Sequence, residues 1–303
     1  FSTEHGDASH TPGPDGKSVF VFFSKSGAMA YDFDGKQLWK TSLGTMSGTK
    51  RWGSAASPIL YKDMLIVNAA DEGRKIVALD KKTGKEEWKA AADSLDQTYN
   101  TPLVVTVSPT RKDLVIVVPE EVWGMNPDTG KLRWYAEMKP NGNISPSVVA
   151  DGSVVFATGG YKVKGTVAIQ AGGKDNVSTS RKRWASLDSS YVPSPIVKKG
   201  HLYWVNESGL FYCLSAKTGK RVYREKLTRA DGSAIPNRSV YASIVEIAGN
   251  FYAVTRKYGT FIVAADPKFK QIAVNRLASD TSDFNASPAI SDGQIIIRSN
   301  NFI

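Results

Sequence analysis

Short apolar runs alternate with polar breaks along this chain, and the same order of runs keeps returning. Residues 195–223 show it well. Pro195-Ile196-Val197 is followed by the break Lys198-Lys199-Gly200, then His201–Val205, then Asn206-Glu207-Ser208-Gly209, then Leu210–Leu214, the turn Thr218-Gly219-Lys220, and Val222-Tyr223. The runs are too short for helices, and β-branched and aromatic residues dominate them. They predict four short antiparallel strands joined by tight turns. Glycine in the turns supplies the positive φ that a tight hairpin needs.

Two motifs bracket each unit. The first is a small residue, then Ser or Thr, then Pro, entering an apolar run. It reads His10-Thr11-Pro12, Ala56-Ser57-Pro58, Asn100-Thr101-Pro102, Ile144-Ser145-Pro146, Pro193-Ser194-Pro195 and Ala286-Ser287-Pro288, with a degenerate copy at Ala242-Ser243-Ile244. Successive openers lie 46, 44, 44, 49, 49 and 44 residues apart, a mean of 46. The second motif is a turn and then an aromatic. Asp34-Gly35-Lys36 leads to Trp39, Thr83-Gly84-Lys85 to Trp88, Thr129-Gly130-Lys131 to Trp134, and Thr218-Gly219-Lys220 to Tyr223. Unit four carries an insert, Ala171 to Ser180, before Trp184, and unit six replaces the turn with Asp266-Pro267-Lys268-Phe269.

A four-stranded unit cannot bury both its faces alone, so tandem copies must stack. The closed solution is an all-β β-propeller of four-stranded antiparallel blades. An open solenoid usually has shorter repeats. Seven repeats are visible, so a single domain over 1–303 is expected, seven- or eight-bladed when complete. Its units run approximately 1–46, 47–93, 94–139, 140–188, 189–230, 231–279 and 280–303. The last lacks outer strands, the chain starts at Phe1, and eight units would need more than the 303 residues here. The expectation is a trimmed product of a longer eight-bladed protein.

The segments Asp80-Lys81-Lys82-Thr83-Gly84-Lys85-Glu86-Glu87-Trp88 and Asn126-Pro127-Asp128-Thr129-Gly130-Lys131-Leu132-Arg133-Trp134 resemble the repeat of pyrroloquinoline-quinone (PQQ) enzymes. The resemblance covers nearly the whole chain and fits the BamB-like group best. It implies that Trp39, Trp88, Trp134, Trp184 and Tyr223 dock one blade on the next. It also implies an extracytoplasmic, periplasmic or secreted, bacterial scaffold that binds a partner and does no chemistry. The enzyme branch holds PQQ and Ca²⁺ beneath a disulfide of neighbouring cysteines, which this chain, with Cys213 alone, cannot form. No cofactor is therefore expected. A divergent quinoprotein oxidoreductase, binding PQQ with calcium at the channel mouth, is the alternative.

Charge changes this picture little. The net +10 comes from 39 Lys and Arg against 29 Asp and Glu, and it admits anionic partners. Lys36, Lys85, Lys131 and Lys220 sit beside turn glycines, however, where a solvated charge needs no partner. No specific nucleic-acid binding is expected. No run approaches the ~20 apolar residues of a membrane span, so the chain is not expected to be transmembrane. A monomer is expected.

In a propeller, the loops entering the innermost strand share a face with those between the second and third strands. The entering loops hold Arg51, Trp52, Tyr99, Asn143, Tyr191, Arg238 and Tyr241, and the others hold Asp71-Glu72-Gly73-Arg74, Glu120, Glu121, Tyr161, Asn206, Glu207, Arg256 and Tyr258. Aromatics and Arg carry interface energy, so this top face is the candidate site for a protein, a peptide or a small ligand. His5, Asp7 and His10 are weakly spaced for metal ligation, and no metal site is expected. No nucleophile elbow or phosphate loop is present.

Overall fold

The computed structural model describes residues 10–303. His5 and Asp7 lie outside the described residues. Six sheets hold the four antiparallel strands that the repeat predicts, and a seventh holds two. Blade 1 is Gly13–Pro14, Ser18–Phe22, Ala28–Asp32 and Gln37–Thr41; blade 2 is Ile59–Tyr61, Met64–Ala69, Lys75–Asp80 and Glu86–Ala91. Blade 3 is Leu103–Ser108, Arg111–Val118, Glu121–Met125 and Leu132–Glu137; blade 4 is Val149–Asp151, Val154–Gly159, Gly165–Gln170 and Lys182–Ser186. Blade 5 is Ile196–Lys198, His201–Val205, Leu210–Ser215 and Arg221–Lys226; blade 6 is Val245–Ile247, Asn250–Val254, Thr260–Ala264 and Gln271–Asn275. Ala289–Ser291 and Gln294–Ile296 form blade 7. The fold is a β-propeller.

The core lies between blades and not within them. Successive residues of a strand point to opposite faces. In blade 2, Leu65 and Val67 join a buried cluster with Phe20 and Phe22 of blade 1. Ile66, between them, joins one with Leu114 and Ile116 of blade 3. Val115 and Val117 in turn face Val155 and Val167 of blade 4. Each middle strand therefore serves two interfaces, which is why its sequence reads as an unbroken apolar run.

Hydroxyls at the strand openers link the blades. The backbone N–H of Thr11 donates to Ser57 Oγ, that of Ser57 to Thr101 Oγ1, and that of Thr101 to Ser147 Oγ, at 2.9, 2.9 and 3.2 Å. Ser147, Ser194 and Ser243 continue to Ser194, Ser243 and Ser287, each at 2.9 Å. In unit four the opener is therefore Ser147-Val148, two residues beyond the Ser145-Pro146 that the sequence offers.

The turn aromatics pack blade to blade. Trp39 Nε1 donates to Lys81 O at 2.8 Å, Trp88 to Pro127 O at 3.1 Å and Trp184 to Ala216 O at 2.8 Å, each in the next blade's turn. Gly84 lies at φ +68 against the Trp39 ring, and a Cβ there would come within 2.5 Å of Cε3. Glycine is thus needed twice at this position, for backbone conformation and for close approach. Tyr223 meets Phe269 edge-on at 5.4 Å.

Trp134 differs. It is fully buried and donates to Asp113 Oδ2 in its own blade at 2.7 Å. Blade 4 has no Thr-Gly-Lys turn to receive it. The insert lays Asp175–Asn176 parallel to Leu132–Glu137, as a fifth strand on blade 3. Asp113 is fully buried, and burial opposes its ionisation. Hydrogen bonds from Arg111, Trp134 and Arg133 outweigh this and hold its carboxyl below the usual range.

Candidate functional site

The site begins with a clamp on the long loop entering blade 2. A single helical turn, Ala70–Gly73, buries Asp71 and Glu72. Glu72 accepts from the hydroxyls of Ser24 and Ser54, both at 2.6 Å. Asp71 accepts from Gly53 N–H at 3.0 Å, and burial pushes its carboxyl up. Asp96 takes the Thr49 hydroxyl and pairs with Arg74. Burial works against its ionisation, but those partners hold its carboxyl below the usual range. These carboxylates are spent on holding residues 48–54, so they act as positioning groups. What they position is Lys50 and Trp52.

Lys50 and Trp52 line a cleft of about 450 Å³ at the top face. Blade 4 contributes Asn143, Tyr161 and Lys164; blade 5 contributes Tyr191, Glu207 and Ser208; and the loop entering blade 6 contributes Asn237, Arg238 and Tyr241. The aromatic rings include two packed pairs. Trp52 lies 5.6 Å from Tyr99, and Tyr161 lies 5.6 Å from Tyr191. The Lys50 ammonium stands 5.9 Å over Tyr161, Lys164 stands 5.7 Å over Tyr191, and the Arg256 guanidinium stands 5.0 Å over Tyr241. Among the described residues Glu207 is the cleft's one carboxylate; it pairs with Lys164 at 2.9 Å and accepts from Tyr191 N–H at 3.3 Å. Burial raises the Tyr191 hydroxyl above its ordinary range.

Seven of the predicted residues thus converge: Trp52, Asn143, Tyr161, Tyr191, Glu207, Arg238 and Tyr241. The others lie elsewhere. Tyr99 is buried behind Trp52, and burial, then Asp71 and Asp96, push its hydroxyl up. Asn206 is buried and accepts from Ser208 and Leu210 N–H, both at 3.0 Å, so it shapes its own turn. Glu121 takes the Trp123 indole N–H at 2.6 Å, and Glu120 bonds through its backbone to Pro140 and Met138. Arg51 is exposed at φ +55, Arg256 pairs with Asp283, and Tyr258 lies 5.7 Å beneath Arg229. His10 is buried edge-on to Phe22 at 4.8 Å.

Lys50, Lys164, Ser208 and Asn237 were not singled out from sequence. Lys50 adjoins Arg51 and Trp52, and only the turn at Arg51 shows which of the two cations faces inward. A second, wider groove of about 700 Å³ runs between the inner strands of blades 3 and 4, lined by Leu103–Thr106, Val148–Ala150, Gly152 and Ser153, none of them ionisable.

A calcium-bound quinone requires several converging oxygen ligands. The cleft offers one carboxylate, already engaged by Lys164 and a backbone N–H, so its residues do not fit that group. No helix among the described residues is long and apolar enough to cross a membrane.

Comparison with known proteins places this geometry in context. The crystal structure of BamB from Moraxella catarrhalis superposes with a TM-score of 0.71 at 12% identity, covering 94% of this chain and 79% of that one. The computationally designed Ika8 protein gives 0.63 at 10% identity, over 98% and 83%. Quinohemoprotein alcohol dehydrogenase from Comamonas testosteroni gives 0.55 at 13% identity, over 86% of this chain and 53% of that enzyme, so the chain spans about half of it. At these identities the likeness is one of fold. A search of curated protein sequences found no match. The profile of the family described as outer membrane protein assembly factor BamB matches residues 2–225. Seven β-sheets in tandem, opener hydroxyls at blade period and that match over most of the chain lead to one assignment: this chain belongs to the BamB family of PQQ-type propellers.

Proposed function

We propose that this protein is a non-catalytic, extracytoplasmic binding or scaffolding module that engages a protein partner through its top face. One observation carries the reading. Loops from blades 2, 4, 5 and 6 converge on a single cleft lined by aromatic rings and cations. Trp52 is 37% exposed and Tyr161 51%; Trp52 is held towards solvent by a loop anchored on the buried carboxylates of Asp71 and Glu72. Exposed aromatics on a rigid frame are what a protein interface uses for affinity. Membership of the BamB family, described as an outer membrane assembly factor, supports both the compartment and a protein partner.

The test compares two charge-reversed proteins. Lys50→Glu with Arg238→Glu alters the top face; Lys131→Glu with Lys220→Glu makes the same charge change on turns at the opposite rim. Partner recovered by affinity purification should fall at least tenfold for the first pair only. Equal loss for both would reduce the attraction to the net +10 charge.

The second reading is a quinoprotein oxidoreductase, which the fold of the dehydrogenases suggests. Saturating PQQ with Ca²⁺ would raise the melting temperature of such an enzyme. The binding-module reading expects no shift.

A further inference from the structure

We propose that the top-face cleft is a receptor for an acidic, aromatic-bearing peptide segment in extended form; this rests on the binding-module reading and names the chemistry of its ligand.

The argument starts from Asn143. Its side chain is 1% exposed, lines the cleft, and its Nδ2 has no hydrogen-bond partner of normal geometry. It lies near enough to the Tyr191 hydroxyl to favour that group's ionised form, but makes no regular bond to it. A buried amide donor left unpaired costs about 1–3 kcal/mol, and a native protein keeps one where something else completes it. What completes an N–H donor is an acceptor oxygen.

The rest of the cleft asks for the same complement. Among the described residues, Lys50 and Arg238 make no ion pair, whereas Lys164 is already committed to Glu207. Lys50 comes from the loop entering blade 2 and Arg238 from the loop entering blade 6, so the two cations without an ion pair come from different loops. The rings of Tyr161 and Tyr191, 5.6 Å apart, line the same cleft. A ligand that satisfies all of this carries acidic groups for the two cations, a flat ring for the tyrosines and a carbonyl oxygen for Asn143. A short extended peptide with an acidic residue on each side of an aromatic has these parts. The volume of about 450 Å³ lies within the usual range for a ligand pocket.

Calorimetric titration with acetyl-Glu-Phe-Glu-amide tests the assignment. Acetyl-Lys-Phe-Lys-amide, acetyl-Glu-Ala-Glu-amide and oligo-dT of four nucleotides serve as comparisons. The acidic aromatic peptide should bind best, and at least tenfold more weakly to the Lys50→Met, Arg238→Met double variant. Asn143→Leu should cut affinity by a similar factor while the melting temperature stays level or rises, because the orphan donor is gone. No preference for the acidic aromatic peptide, or tighter binding of oligo-dT, would overturn the proposal. So would a lowered melting temperature in Asn143→Leu with affinity intact. If a protein partner is lost on top-face charge reversal yet the acidic peptide does not compete with it, the ligand class is wrong while the binding face stands.

Discussion

The backbone N–H of Ser57 donates to the hydroxyl of Thr101, the residue in the same place one blade further on, at 2.9 Å. Six such bonds step through the described residues from Thr11 to Ser287 at separations of 44 to 49 residues. The opener motif is therefore an inter-blade hydrogen bond. Its hydroxyl does the linking, and its proline only starts a strand where no ladder donor is needed. Thr101→Val keeps the shape and removes the acceptor, so it should cost about 1–2 kcal/mol in urea unfolding. Thr101→Ser should cost about 0.5 kcal/mol or less, because it retains the hydroxyl. Equal losses for the two variants would mean that packing, not the bond, matters there.

Gly84 and Gly35 separate two demands on a turn glycine. Both have positive φ, +68 and +83, but a Cβ on Gly84 would strike the Trp39 ring while one on Gly35 would meet nothing within 4 Å. Gly35→Ala should cost about 1–2 kcal/mol, the backbone penalty alone. Gly84→Ala should cost clearly more, by a further ~1–3 kcal/mol of overpacking. Thermal melts of the two variants decide it; the same loss in both would remove Gly84 from the inter-blade contact.

His10 gives the protein an acid-side weakness. Burial lowers its pKa to about 4, against about 6.5 for a free imidazole. Between those values the unfolded chain binds a proton that the folded chain refuses, so stability rises with pH. The contribution is whole above pH ~6.5 and is lost as pH falls towards 4, by roughly 3 kcal/mol. Urea midpoints measured between pH 7 and pH 4 should fall more steeply towards acid in the wild type than in His10→Phe. Identical pH slopes in both would contradict this.

Much of this was legible in the chain, and the exceptions have physical causes. Period-two burial shared between two interfaces produces the apolar runs, so strands and blades could be read directly. Unit four misled because Ser145 precedes a proline while Ser147 does not, and only the inter-blade bond distinguishes them. The insert's destination was hidden because Asp175–Asn176 is short, polar and exposed, without any alternation to mark a strand. In the site, Trp52, Tyr161, Tyr191, Glu207, Arg238 and Tyr241 were found because they sit on loops of one face. Tyr99 and Asn206 sit on the same loops and are buried. Loop burial follows no period, so sequence position alone cannot separate the two groups.

The central claim is that the top face binds a protein partner, and site-specific photo-cross-linking tests it most directly. A benzophenone side chain placed at Tyr161 or Tyr241, and at Lys131 or Lys220 on the opposite rim, samples both faces of the same folded protein. The account predicts one defined protein adduct from Tyr161 and Tyr241, abolished by the Lys50→Glu, Arg238→Glu pair, and none from Lys131 or Lys220. Adducts from the opposite rim, with the top-face positions silent, would contradict it.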